Sequence, residues 1–206
     1  MKVIKANKQN IAVAAKIVRN GGLVVYPTET VYGVGCDPFN VEAVERLLDV
    51  KGKKRRKPLP VLAASIADVR KVAFISSTGK LLAKKFWPGS LTLIFSKRPE
   101  FPDIVTFGLD SVGLRIPNHA VALSLIRLSG GLLVGSSANR TGETPPRSLH
   151  GISDVLKKLV DVVIDGGSSA QGIPSTVVDL TSDKLKIIRK GTISRKQLLD
   201  VLPFDY

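Results

Sequence analysis

Residues 112–134 read VGLRIPNHAVALSLIRLSGGLLV, and their order decides the fold class. Val112 to Ile116 is a short apolar run ended by Pro117, as expected for a strand. Ala120 to Leu128 then repeats apolar residues at helical spacing. Gly130 and Gly131 stop that helix, and Leu132 to Val134 is a second, continuously apolar strand. Within the first strand, alternation sends Val112, Leu114 and Ile116 to one face. Arg115 falls on the other face, with Gly113 and Pro117 as small neighbours.

The same mixture runs outward in both directions. Upstream, helices are predicted over Lys8 to Asn20 with Asn7 as cap, over Val41 to Val50 with Asn40 as cap, after a Ser65/Asp68 capping pattern, and from Ser77 or Thr78 to Phe86. Strands are predicted at Leu23 to Tyr26, Pro60 to Ala63 and Leu91 to Phe95, and residues 97–110 read as irregular. Downstream come a helix at Ser153 to Leu159 and a strand at Val162 to Ile164. Strands at Ser175 to Leu180 and Leu185 to Arg189 follow, joined by TSDK, and then a closing helix at Ser194 to Val201. The expectation is one α/β domain over residues 1–206, with helices packed on a largely continuous, mixed sheet. No linker rich in Pro, Gly or Ser divides the chain in two.

Composition narrows the function. Hydrophobic residues make up 44% of the 206, enough for a core, while aromatics are only 5%, so aliphatic side chains must fill it. Lys and Arg number 31 against 17 Asp and Glu, a net charge of +14, which favours anionic partners: nucleotides, tRNA or anionic lipid surfaces. Cys36 is the single cysteine, which excludes an internal disulfide and a cysteine-based zinc site. The first ten residues lack an apolar signal core, and no apolar run approaches membrane-spanning length, so a cytoplasmic protein without membrane partners is expected. His119 and His150 are too isolated to found a metal site, and no Ser-His-Asp set is readable.

Five polar segments flank predicted strands, where open α/β sheets bind ligands. Tyr26-Pro27-Thr28-Glu29-Thr30-Val31-Tyr32-Gly33 offers hydroxyls and a carboxylate suited to a small amino acid, or a turn whose threonines cap the next element. Lys51-Gly52-Lys53-Lys54-Arg55-Arg56-Lys57 carries six basic residues in seven and suits a triphosphate or a nucleic-acid backbone, or is a solvated charge run. It is no P-loop, since G-x-x-x-x-G-K-[ST] occurs nowhere. In Ser111-Val112-Gly113-Leu114-Arg115-Ile116-Pro117 the arginine suits two-pronged capture of a carboxylate or phosphate, with a surface salt bridge as the alternative. Ser136-Ser137-Ala138-Asn139 follows a buried strand and suits phosphate or ribose, or a capping turn. In Ile173-Pro174-Ser175-Thr176-Val177-Val178-Asp179, Ser175 can meet Arg189 across the last strand pair.

Taken in order, PTETVYG, the Lys-rich segment leading to KPLPVL, FWPGSLTLIF, GLRIP, SSAN-x-x-G, DGG, PSTVVD and R-K-G run from about Ala6 to Gln197. This series resembles the YrdC-like family, whose members include the threonylcarbamoyl-AMP synthases. The resemblance implies an open twisted sheet flanked by helices, with a basic concave face for the nucleotide. It implies a nucleotidyltransferase that joins L-threonine, bicarbonate and ATP, with Mg2+ accompanying the ATP and no protein side chain binding metal. The product would pass to a downstream threonylcarbamoyl transferase for tRNA modification, and tRNA itself is a candidate partner. Carried over by motif, Thr28, Arg115 and Ser175 are implied as threonine contacts. Lys51, Lys53, Arg55, Ser111, Ser137, Asn139 and Arg189 are implied as ATP contacts, with Lys51 and Lys53 the catalytic cations. Lys53 stands where the family's K-x-R has arginine, and WPGS replaces the usual WPGP. Some longer members carry a further C-terminal domain, and none is expected in this chain. The alternative reading is a relative that binds tRNA or double-stranded RNA without synthase activity.

Overall fold

The computed structural model describes residues 2–52, 57–169, 171–182 and 185–202. In chain order these form β1 (Lys2–Lys5), α1 (Lys8–Arg19), β2 (Val24–Tyr26), β3 (Gly33–Gly35), α2 (Val41–Val50), β4 (Val61–Ala63), α3 (Ile66–Val72) and α4 (Ser77–Phe86). Then follow β5 (Leu91–Ser96), α5 (Asp103–Thr106), β6 (Ser111–Arg115), α6 (Ala120–Leu128), β7 (Leu132–Val134) and β8 (Ser136–Ser137). A 3-10 turn, Leu149–Gly151, precedes α7 (Asp154–Leu159), β9 (Val162–Asp165), β10 (Thr176–Asp179), β11 (Lys186–Arg189) and α8 (Arg195–Leu199).

Helix starts are fixed by side chains that satisfy the first free backbone N–H groups. Asn7 Oδ1 accepts from the Asn10 N–H and Asn40 Oδ1 from the Ala43 N–H, each at 2.9 Å. Ser65 Oγ accepts from the Asp68 N–H at 3.2 Å. The cap of α4 is Ser76, one residue before the expected Ser77 or Thr78, with its Oγ taking the Gly79 N–H. Ser194 and Gln197 form a reciprocal capping box at the start of α8.

The expected single, largely continuous sheet is replaced by two mixed sheets. One has the order β1-β9-β2-β3-β8, the other β11-β10-β5-β6-β4-β7. The chain leaves the second sheet at β7 and enters the first at β8, with only Gly135 between them. There the backbones touch directly: the Val134 N–H donates to Cys36 O at 2.9 Å and the Gly135 N–H to Pro60 O at 2.8 Å. A Cβ on Gly35 would lie 1.9 Å from Val134 O, so glycine is what permits this approach. Alternation along a strand reports which face is apolar but not which strand lies beside it, so the break between sheets left no mark on the pattern.

Alternation does assign faces. Leu23, Val25, Val61, Leu114 and Val134 belong to the main core, which also takes Val44, Leu47 and Leu48 of α2. Val24, Tyr26, Leu62 and Leu133 point oppositely, into a second core under α1 and α6, where Ala14, Ala15 and Val18 meet Ala122, Leu125 and Ile126. Small residues on α1 allow the two helices to lie close. No described helix is long and apolar enough to cross a membrane.

Candidate active site

A cavity of about 570 Å³ opens beside β6. Ser111, Gly113 and Arg115 line it from alternate positions of β6, while Val112 and Leu114 are buried in the main core. Thr92 and Ile94 of β5 stand beside them, in the register Ile94 to Gly113. Ser175 comes from the residue just before β10 and Val177 from β10 itself, Ile188 and Arg189 from β11, Thr30 and Val31 from the loop after β2, and Ser136 and Ser137 from β8.

Arg115 is 6% exposed and held from three sides. Its Nε–H donates to Gly89 O at 3.0 Å and its Nη1 to Thr30 Oγ1 at 3.1 Å. Nη2 stands 2.7 Å from Glu29 Oε2 in an ion pair whose two side chains are 8% and 11% exposed. Neither of these two atoms has a hydrogen-bond partner, so the contact is ionic rather than a well-aligned hydrogen bond. The other Glu29 oxygen accepts the Asn118 N–H at 3.1 Å. The pair immobilises the guanidinium with part of its donor fork uncommitted.

Arg189 is a further cation of the cavity, whose wall also carries Lys57. Its Nε donates to Ser175 O and its Nη2 to Ser175 Oγ, each at 3.0 Å. Ser175 Oγ in turn lies 2.8 Å from Thr92 Oγ1. Burial and then the positive Arg115 lower the Arg189 pKa.

Arg115, Ser175, Ser111, Ser137 and Arg189, inferred separately from four motifs, therefore share one cavity. Thr28 does not reach its wall. It is buried behind Thr30, and its Oγ1 donates to Val31 O at 2.7 Å and meets Thr30 Oγ1 at 2.9 Å. Lys51 also lies off the wall. Its Nζ donates to Ser137 O and Asn139 O, both at 2.6 Å, tying the end of α2 to the Ser-Ser-Ala-Asn segment. Burial pushes its pKa down to about 8, against the opposing pull of Glu143. Asn139 is buried and its Nδ2 donates to Arg140 O and Glu143 O, while its Oδ1 has no partner. Lys53 and Arg55 lie outside the described residues. No group of three or more His, Cys, Asp or Glu that could hold a metal occurs among the described residues.

Glu29, the carboxylate that the sequence offers to a small amino acid, is paired with Arg115 instead. Thr92 was not assigned a role from sequence, although it carried the signal that singled out Arg115, a polar residue inside an apolar strand.

The family profile Sua5/YciO/YrdC, described as "Telomere recombination", matches residues 16–191. The chain belongs to this family. A threonylcarbamoyl-AMP synthase of Pyrococcus abyssi is 38% identical over 93% of this chain and 57% of its own length. One of Bacillus subtilis is 35% identical over 97% of this chain and 58% of its own length. The chain thus spans less than two thirds of these two relatives. A putative threonylcarbamoyl-AMP synthase of Methanocaldococcus jannaschii is 34% identical, with 89% of this chain and 86% of the relative aligned. Among solved structures, P. abyssi Sua5 complexed with L-threonine superposes with a TM-score of 0.94 at 36% identity, over 98% of this chain and 61% of that one. Escherichia coli YciO gives 0.85 at 27% identity, over 96% and 98%. Both structures share the mixed α/β architecture.

Proposed function

We propose that the protein is a threonylcarbamoyl-AMP synthase, acting in the cytoplasm on L-threonine, bicarbonate and ATP. The observation that carries this reading is the pairing of Arg115 and Arg189 with Ser175 on one small cavity, in a fold that superposes on a threonine-bound relative. The threonine amine and bicarbonate condense to a carbamate with loss of water. A carbamate oxygen then attacks the α-phosphorus of ATP, and pyrophosphate leaves. No covalent enzyme intermediate is needed, so catalysis rests on orientation and on stabilising charge.

The residues suit these tasks. Arg115, braced by Gly89 O, Thr30 and Glu29, offers its remaining donors to the threonine carboxylate. Arg189 faces the accumulating negative charge, and the net charge of +14 offsets the repulsion among carboxylate, carbamate and triphosphate. Lys51 holds the carbonyls of Ser137 and Asn139, which sets the segment proposed to meet the nucleotide. Lys53 and Arg55 are proposed for the triphosphate. Mg2+ is proposed as a companion of the phosphates, held by their oxygens and water. The product is proposed to pass to a threonylcarbamoyl transferase acting on tRNA.

The test is pyrophosphate release from purified protein. Release should require both threonine and bicarbonate, and equal release without threonine would sink the proposal. The basic charge also favours direct RNA binding, and Lys51→Ala separates the two readings. Loss of pyrophosphate release supports the synthase, whereas normal release with weakened tRNA binding supports an RNA-binding module.

A further inference from the structure

A hydroxyl chain leads away from each cavity arginine, and a count of hydrogens tells the two apart. In the first, Arg115 Nη1 donates to Thr30 Oγ1. Thr28 spends its one hydroxyl hydrogen on Val31 O, so the Thr28–Thr30 contact at 2.9 Å must use the hydrogen of Thr30. Every hydrogen in this chain ends on a protein acceptor, and Thr30 can only accept from a ligand.

The second chain does not close. Arg189 Nη2 donates to Ser175 Oγ, and Ser175 Oγ meets Thr92 Oγ1 at 2.8 Å. That contact uses one of the two hydroxyl hydrogens. Among the described residues neither oxygen has another acceptor, so one hydrogen is left over whichever way the pair is oriented. Both residues line the cavity, with Thr92 4% and Ser175 3% exposed. A buried donor without a partner is costly, so this one is set for a ligand acceptor. A hydroxyl that accepts from a cation becomes a stronger donor, which favours the order Arg189 to Ser175 to Thr92 and leaves the spare hydrogen on Thr92. The Thr92 methyl lies beside Gly113, where an added Cβ would come within 3.4 Å of it, so packing holds the hydroxyl toward Ser175.

We infer that Thr92 is a further substrate-binding residue, whose hydroxyl donates to the carboxylate of the amino-acid substrate. The identity of that substrate rests on the synthase reading. The chains also orient the ligand: its anionic oxygen goes to Arg115 and Thr92, and a donor, amine or hydroxyl, goes to Thr30.

Thr92→Val keeps the shape and removes the hydroxyl. It should raise the threonine KM about tenfold or more, the loss of one hydrogen bond to a charged group. The KM for ATP should stay within about twofold, because that interaction is not made with the nucleotide. Thr92→Ser, which restores the hydroxyl, should recover most of the loss. Calorimetry with threoninamide, whose carboxylate is replaced by a weaker, neutral acceptor, should show a clearly smaller loss of affinity in Thr92→Val than threonine does. An unchanged threonine KM in Thr92→Val overturns the inference, as does a threoninamide affinity that falls in parallel with that for threonine. A wild-type protein that needs no threonine for pyrophosphate release overturns the synthase reading instead, and the same assay reports it.

Discussion

Removing Arg115 tests the site through the stability of the fold. In Arg115→Met the apolar part of the side chain is retained, but Glu29 keeps a charged carboxylate in a position only 11% exposed. The Asn118 N–H is then its one remaining hydrogen-bond donor among the described residues. Breaking a buried ion pair by removing one partner costs about 3–5 kcal/mol, chiefly because the other charge is stranded. The hydrogen bonds to Gly89 O and Thr30 Oγ1 add about 1 kcal/mol each. At roughly 2–4 °C per kcal/mol for a chain of this length, Tm should fall by roughly 10–25 °C. Adding Glu29→Gln removes the stranded charge, so the double variant should regain about half of the loss. Urea unfolding of wild type, Arg115→Met, Glu29→Gln and the double variant, followed by far-ultraviolet circular dichroism, gives the coupling directly. If Arg115→Met lies within about 1 kcal/mol of wild type, or if the double variant is no more stable than Arg115→Met, the buried pair does not have the role assigned to it.

Lys51 makes stability depend on pH in a predictable direction. Burial holds its folded pKa at about 8, below the ordinary lysine value of 10.5. Between these values the unfolded chain binds more protons, so wild type should gain stability relative to Lys51→Met as pH rises from about 8 to 10.5. A constant difference between the two proteins from pH 7 to 10.5 would contradict this. Gly35→Ala sets a methyl 1.9 Å from Val134 O, where backbone must move, and should cost about 3 kcal/mol or more of unfolding free energy. Ordinary stability in that variant would mean that the two sheets do not meet as described. Serine should be a poor substitute for threonine, because one methyl is worth roughly 1–3 kcal/mol of discrimination. Equal specificity constants for the two amino acids would mean that the cavity does not recognise the threonine methyl.

Local patterns carried most of the elements. Helix α2 over Val41–Val50 and helix α6 over Ala120–Leu128 lie where the periodicity put them. The strand of Arg115 runs from Ser111 rather than Val112. The missed strands share a cause. Strand β1 is Lys-Val-Ile-Lys with only Ile4 buried, and it exists because it pairs in parallel with β9 from the far end of the chain. Strand β3 is Gly-Val-Gly and β8 is two serines, so neither has an apolar run, and both are held by backbone pairing with distant partners. Short helix α5 lies within the stretch expected to be irregular.

What the sequence determined by itself was the chemistry available and the direction in which it points. A charged residue between apolar ones on a strand must face away from the core, and that identified Arg115 without any neighbour being known. The tertiary structure decided what those groups do together. It brought Arg189 of β11 to Ser175, set Thr92 beside them, and spent the Lys51 ammonium on two carbonyls of another segment. Alternation and capping are local, written within a few residues. Strand pairing, the meeting of two sheets at Gly35, and the pairing of hydrogen-bond donors with acceptors join residues far apart in the chain, and they exist only once it has folded.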